Sequence, residues 1–246
     1  MSPFSVLNPA VTAAYHAVSG IAAALAPVAG DTGAALAIVL FTLAIRLLMH
    51  PLARAQSRAA AEAQRARAAL APEVKKLRRT FRNDPVRLNR ATLELYRERG
   101  VSNTAGMLPG MLQLPVLLVM YRLFASRTVG GRPNGLLGHS VAGVPLGSHL
   151  RDAFAGGHVL LGHLAVFALL IVLAAAVARW SSTLAAAAAD RAAALGEPAP
   201  LGALARWLPY GSLLTAAFVP LATGLYLATT TLWAVAERAF LARGQA

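Results

Sequence analysis

G-A-A-L-A-I-V-L-F-T-L-A-I-R-L-L-M-H-P, residues Gly33 to Pro51, is almost wholly apolar and long enough to cross a bilayer. Within it stands one formal charge, Arg46. On insertion scales an arginine at the centre of a membrane helix costs roughly 2.5–3.5 kcal/mol, so such a residue is a functional candidate by default. It also lies about 6 Å from the end of the span, at 1.5 Å per residue, and an arginine can snorkel that far. Groove residue and snorkelling residue are the two readings this stretch leaves open.

The rest of the chain has the character of the stretch. Of 246 residues 57% are hydrophobic and only 13% charged, with a mean hydropathy of +0.57. The apolar residues come in long runs rather than alternating with polar ones, which reads as an all-α integral membrane protein. A net charge of +13 admits nucleic acid, anionic lipid or the ribosome as partners. The position of the charges narrows that choice. Cysteine is absent, so there is no disulfide or thiol chemistry to consider.

Residues 1–30 hold no Lys or Arg, so the basic n-region of a signal peptide is missing. Val11, Tyr15, Val18, Ala22 and Leu25 form one helical stripe, which predicts an external interfacial amphipathic helix broken by Pro27 and Gly30. An extra span over residues 10–29 is the alternative.

From Arg54 to Arg99 thirteen basic residues face five acidic ones. Leu70, Val74, Leu77 and Phe81 repeat as a helix seam. Asp84 followed by Pro85 starts a second helix, Leu88, Thr92 and Leu95 give it a matching stripe, and Gly100 is placed to end it. The expectation for 52–104 is an antiparallel helical hairpin, basic outside, with Lys75, Lys76, Arg78, Arg79 and Arg82 on it. The positive-inside rule makes it cytoplasmic and puts the start of the first span outside.

Further spans are expected at about 105–124, 158–178, 205–219 and 221–238, giving five with the first at 33–50. Residues 31–246 then form the core, with the N-terminus outside and the C-terminus cytoplasmic. Pro220 and Gly224 interrupt the uncharged run 207–236, which predicts a re-crossing hairpin, one tilted helix being the rival. Residues 125–157 read as a Gly-rich external loop. His139, His149, His158 and His163 match no compact ligand spacing, so neither metal nor cofactor is expected.

No nucleophile-and-base constellation, paired intramembrane carboxylates or Walker loop is present, so bond-breaking chemistry is not expected. What remains is polar residues within apolar helices: Thr42 and Arg46, Gln113, Ser212, Thr215, Tyr226 and Thr229–Thr231, with Thr230 among them. Thr42 and Arg46 are one helical turn apart and share a face. Together these residues could line a polar groove with one positive charge.

Four stretches, in order, resemble the YidC/Oxa/Alb membrane-protein insertases. They are T-L-A-I-R-L-L-M-H-P-L (Thr42–Leu52), the basic hairpin, L-Y-R-E-R-G-V-S-N-T-A-G-M-L-P-G-M-L-Q-L-P-V-L-L-V-M-Y (Leu95–Tyr121) and V-P-L-A-T-G-L-Y-L-A-T-T-T-L-W (Val219–Trp233). The resemblance implies a five-helix core in the bacterial cell membrane, with a hydrophilic groove open to cytoplasm and lipid and closed outside. It places the family's groove arginine on Arg46, in the setting R-L-L-x-x-P-L. Implied partners are nascent membrane-protein clients, the Sec translocon, the ribosome and anionic lipids, without direct nucleic-acid specificity. The family commonly has Asn-Pro where this chain has Ser102-Asn103, Cys at Met107, Tyr-Trp and a later Asn in the last motif, and Gln at Glu237. These departures suggest a divergent paralogue. From a different class of function, a small-solute or anion transporter or channel could use Arg46 as a binding site.

Overall fold

The computed structural model describes residues 7–101, 108–157, 160–194, 207–211, 213 and 218–243. Helices dominate: α1 (Asn8–Ala29), α2 (Gly33–Thr80), α3 (Pro85–Glu98), α4 (Leu108–Ala125), α5 (Leu161–Ala194) and α6 (Leu221–Arg243). The chain divides into two compact units. One holds residues 1–48, 114–182 and 207–246, and the other holds 49–113 and 183–206.

The first unit has an apolar core to which α1, α2, α4, α5 and α6 all contribute, with Val18, Ile38, Leu123, Phe124, Phe167 and Tyr226 among its buried members. The same helices are apolar outside as well. Leu36, Leu40 and Leu47 on α2, Leu114 and Leu118 on α4, and Leu169 and Val172 on α5 are all exposed. A helix that is apolar all round needs an apolar medium outside the protein. Two helical stretches among the described residues are long and apolar enough to cross a membrane, one within Asn8–Thr80 and the other Leu161–Ala187. Only 33% and 28% of their most apolar windows is covered by protein.

Proline proves a weaker boundary than the sequence suggests. α1 runs through Pro27 and stops only where Gly30 takes φ +52° and gives its N–H to the Ala26 carbonyl. A proline in the last turn forfeits a single helical hydrogen bond, whereas a positive φ turns the chain. On α1 the buried residues are Val11, Ala14, Val18 and Ala22, while Tyr15 and Leu25 lie half-buried at the edge of the stripe. α2 likewise passes Pro51 and Pro72 without ending. Between 207 and 236 the chain is not one tilted helix: it bends at Val219, leaves helical geometry at Pro220 and starts α6 at Leu221.

Residues 126–157 fold into a compact cap rather than a plain loop. Two short antiparallel ladders, β1 (Thr128–Val129) with β2 (Arg132–Pro133) and β3 (Ser140–Val141) with β4 (Val144–Pro145), are closed by two-residue turns. Their central residues, Gly130-Gly131 and Ala142-Gly143, all have positive φ, which matches the right-handed twist of the strands. Asn134 is buried and gives its amide to the carbonyls of Leu123 (2.7 Å) and Ser126 (3.1 Å). It thereby answers orphan carbonyls at the end of α4. The cap also serves α6. Leu221 N–H donates to Ser148 O (2.9 Å) and Ala222 N–H to Leu146 O (2.8 Å), so the first two amides of that helix are satisfied from a distant segment.

In the second unit α3 folds back on α2, with Leu95, Tyr96 and Val101 packed on Leu70 and Val74. Asp84 caps α3 by accepting from Arg87 N–H at 2.9 Å, with Pro85 at its first position. Gly100 follows the helix with φ +67°. Arg99 Nη2 bonds both carboxylate oxygens of Glu73 at 2.9 and 3.1 Å. Both side chains are more than a third exposed, so the pair adds little stability.

Asn134→Leu is expected to lower the melting temperature of the detergent-solubilised protein. The loss should correspond to about 1–3 kcal/mol for each buried carbonyl left without a donor.

Candidate functional site

Arg46 lies in the apolar half of α2, and Thr230 lies on α6. Arg46 Nε donates to Thr230 Oγ1 at 2.7 Å across a sequence separation of 184 residues. A charged donor in an apolar surround needs such partners, because an uncompensated buried charge costs several kcal/mol or more. Thr230 is 6% exposed. Tyr226, one turn earlier on α6, is buried, interacts electrostatically with Arg46 and rests its ring on Phe124 at a centroid distance of 5.9 Å. Thr42 is buried on the same face of α2 as Arg46, but its hydroxyl donates to its own helix, to Ile38 O at 2.6 Å.

The run Thr229-Thr230-Thr231 shows how one position is selected from three. Thr229 donates back to Leu225 O and Thr231 to Leu227 O and Ala228 O. Only Thr230 presents its oxygen to the arginine. The helical period decides this, since neighbours i−1 and i+1 point about 100° to either side.

The structure therefore brings together Arg46, Tyr226 and Thr230 from the expected set, with Thr42 buried one turn before Arg46 on α2. Ser212 and Thr215 lie outside the described residues, as does the side chain of Gln113. Three further residues belong to the same face of α6: Thr223, Trp233 and Glu237. Thr223, Tyr226, Thr230, Trp233 and Glu237 follow one another at steps of 3, 4, 3 and 4, a pattern the sequence displays once the helix start at Leu221 is known. Thr223 Oγ1 and Trp233 Nε1 are buried and have no hydrogen-bond partner among the described residues. Buried polar atoms of this kind are rare in folded proteins.

Residues 25–246 match the family model described as 60Kd inner membrane protein. The chain belongs to the YidC family. It is 31% identical over 127 residues to the membrane protein insertase YidC of Clostridium perfringens, covering 50% of this chain and 52% of that one. Against the membrane protein insertase YidC of Chlorobium limicola it is 32% identical over 136 residues, 55% of this chain and 22% of the relative. The Burkholderia multivorans protein of the same name is 37% identical over 98 residues, 39% and 17% of the two chains. The chain thus spans about half the length of the first relative and under a quarter of the others.

In the other unit Lys75, Lys76, Arg79 and Arg82 are exposed and Arg78 is half-buried. Among the described residues no group of three or more His, Asp or Glu gathers as a metal site would require.

α6 approaches α5 closely at Gly224, where an added Cβ would meet Leu170 Cδ2 at 2.5 Å. Gly224→Val is expected to cost about 1–3 kcal/mol through overpacking. In thermal melts, Gly224→Val combined with Leu170→Ala should lose less than the sum of the two single variants.

Proposed function

We propose that the chain is a membrane protein insertase, moving client transmembrane segments from the cytoplasm into the lipid bilayer of a bacterial cell. The observation that carries this reading is Arg46 held by Thr230 at 2.7 Å between helices whose other faces are apolar. The insertase names of the relatives point the same way. Five spans form the core, from the first half of α2, α4, α5, the segment 205–219 and α6, with the N-terminus outside and the C-terminus cytoplasmic. Arg46, Thr42, Gln113, Ser212, Thr215, Tyr226 and Thr230 line a polar groove with a single positive charge.

A client enters this groove from the cytoplasm and pairs its polar end with the Arg46 guanidinium, whose planar fork offers five donors. Its apolar part then partitions into lipid, a step favourable by roughly 25 cal/mol per Å² of apolar surface removed from water. No bond is made or broken, so the energy comes from burial of the client and not from a co-reactant. The α2–α3 arm is a cytoplasmic basic hairpin, and Lys75, Lys76, Arg78, Arg79 and Arg82 on it recruit clients, ribosomes or anionic lipid. Juxtamembrane clusters of this kind gain about 1 kcal/mol per basic residue near an anionic surface. The Sec translocon is a further partner.

The test is reconstitution in liposomes with a single-span client carrying a short acidic outer tail, read by protease protection. Arg46→Ala should lower insertion most, and Arg46→Lys should retain much of it because the charge is kept while the fork is lost. Thr230→Val should lower it severalfold, within the roughly 1.5–3 kcal/mol of a hydrogen bond to a charged group, and Thr230→Ser should restore it. Unchanged insertion in Arg46→Ala would sink the groove-charge mechanism. Arg46-dependent uptake of a small anion by the same liposomes would favour a transporter instead.

A further inference from the structure

α6 presents a polar side chain at every turn of the face that meets Arg46, and the last of these is a carboxylate, Glu237. From Thr230 it is seven residues along, about 10 Å down the axis and rotated by only about 20°. Thr230 itself touches the arginine. Glu237 is half-buried and interacts electrostatically with Arg46, whereas the neighbouring Arg238 is exposed and opposes Arg46. Arg46 thus faces a neutral acceptor and an anion on one helix face. Away from water an attraction of this kind is weakly screened and acts over several ångströms.

We propose that Glu237 is a resident counter-ion of Arg46 and a specificity-determining residue, competing for the guanidinium with acidic groups on an arriving client segment. The proposal rests on the insertase reading. A client carboxylate drawn to Arg46 enters the field of a second carboxylate on the same helix face, and like charges disfavour each other. Neutral polar ends escape that repulsion. The chain therefore handles neutral-ended segments at less disadvantage than a site holding the arginine alone would allow, and it raises the threshold for acidic ones. Glutamine at 237 keeps the size and the hydrogen-bonding capacity of the side chain and removes the charge.

The experiment uses the full chain in liposomes with two single-span clients that differ only in the outer tail, one with three Asp and one with three Asn. Glu237→Gln is expected to raise the acidic-to-neutral insertion ratio at least threefold, and Glu237→Asp to hold it near the unsubstituted value. A second measurement compares melting temperatures of the unsubstituted chain, Glu237→Gln, Arg46→Gln and the double variant. The loss caused by Glu237→Gln should shrink or vanish when Arg46 is already replaced. An unchanged insertion ratio overturns the specificity role, and an additive melting cycle overturns the counter-ion. Should no variant insert either client above protein-free liposomes, the insertase reading fails, and the melting cycle still decides whether Glu237 answers Arg46.

Discussion

The hydrogen bond from Arg46 to Thr230 is the constraint to which the rest of the first unit answers. A guanidinium among apolar helices has to find acceptors, and the acceptor chosen lies on the last helix of the chain. That fixes the rotation of α6 about its own axis. Tyr226 then falls beside Phe124, and Gly224 is brought so close to Leu170 that a side chain there would collide. At its start α6 is held by the carbonyls of Leu146 and Ser148. One helix is thus tied at its start, packed at its first turn and bonded near its middle, each by a different kind of force.

Much of this was legible in the sequence, where a single strong local cause decides the outcome. Arg46 stands out because a charge in an apolar run has few innocent explanations. Asp84-Pro85 and Gly100 mark the ends of α3 because a cap, a fixed φ and a left-handed residue each act within one turn. The seam Leu70–Val74 is visible as a helical period, although Tyr96, which is buried against it, falls just off the stripe expected for α3.

The rest depends on partners remote in sequence. Pro51 closes the span expected at 33–50, yet α2 runs past it, because one lost hydrogen bond is small against a long helix with good formers on either side. Asn134 resembles any loop asparagine until α4 is seen to end beneath it. Gly130-Gly131 between two short extended pairs did carry a turn signal, one hidden by the general glycine richness of the segment. At the candidate site the pattern was present in full, but Thr223, Trp233 and Glu237 join Tyr226 and Thr230 only when the start of α6 is fixed.

The two ends of the Arg46–Thr230 bond are 184 residues apart. At about 5–20 residues per second, the usual pace of synthesis, the arginine is made some 10–40 s before its acceptor. α6 is also the helix whose first amides depend on the cap, so it cannot settle until both it and residues 146–148 have been made. Over that interval the guanidinium must rely on interfacial water or lipid phosphate, and its place five residues from Pro51 keeps those within reach. Its distance from the end of the apolar stretch is then a condition of biogenesis: an arginine set a full turn deeper would have nothing to bond to while the chain was still growing.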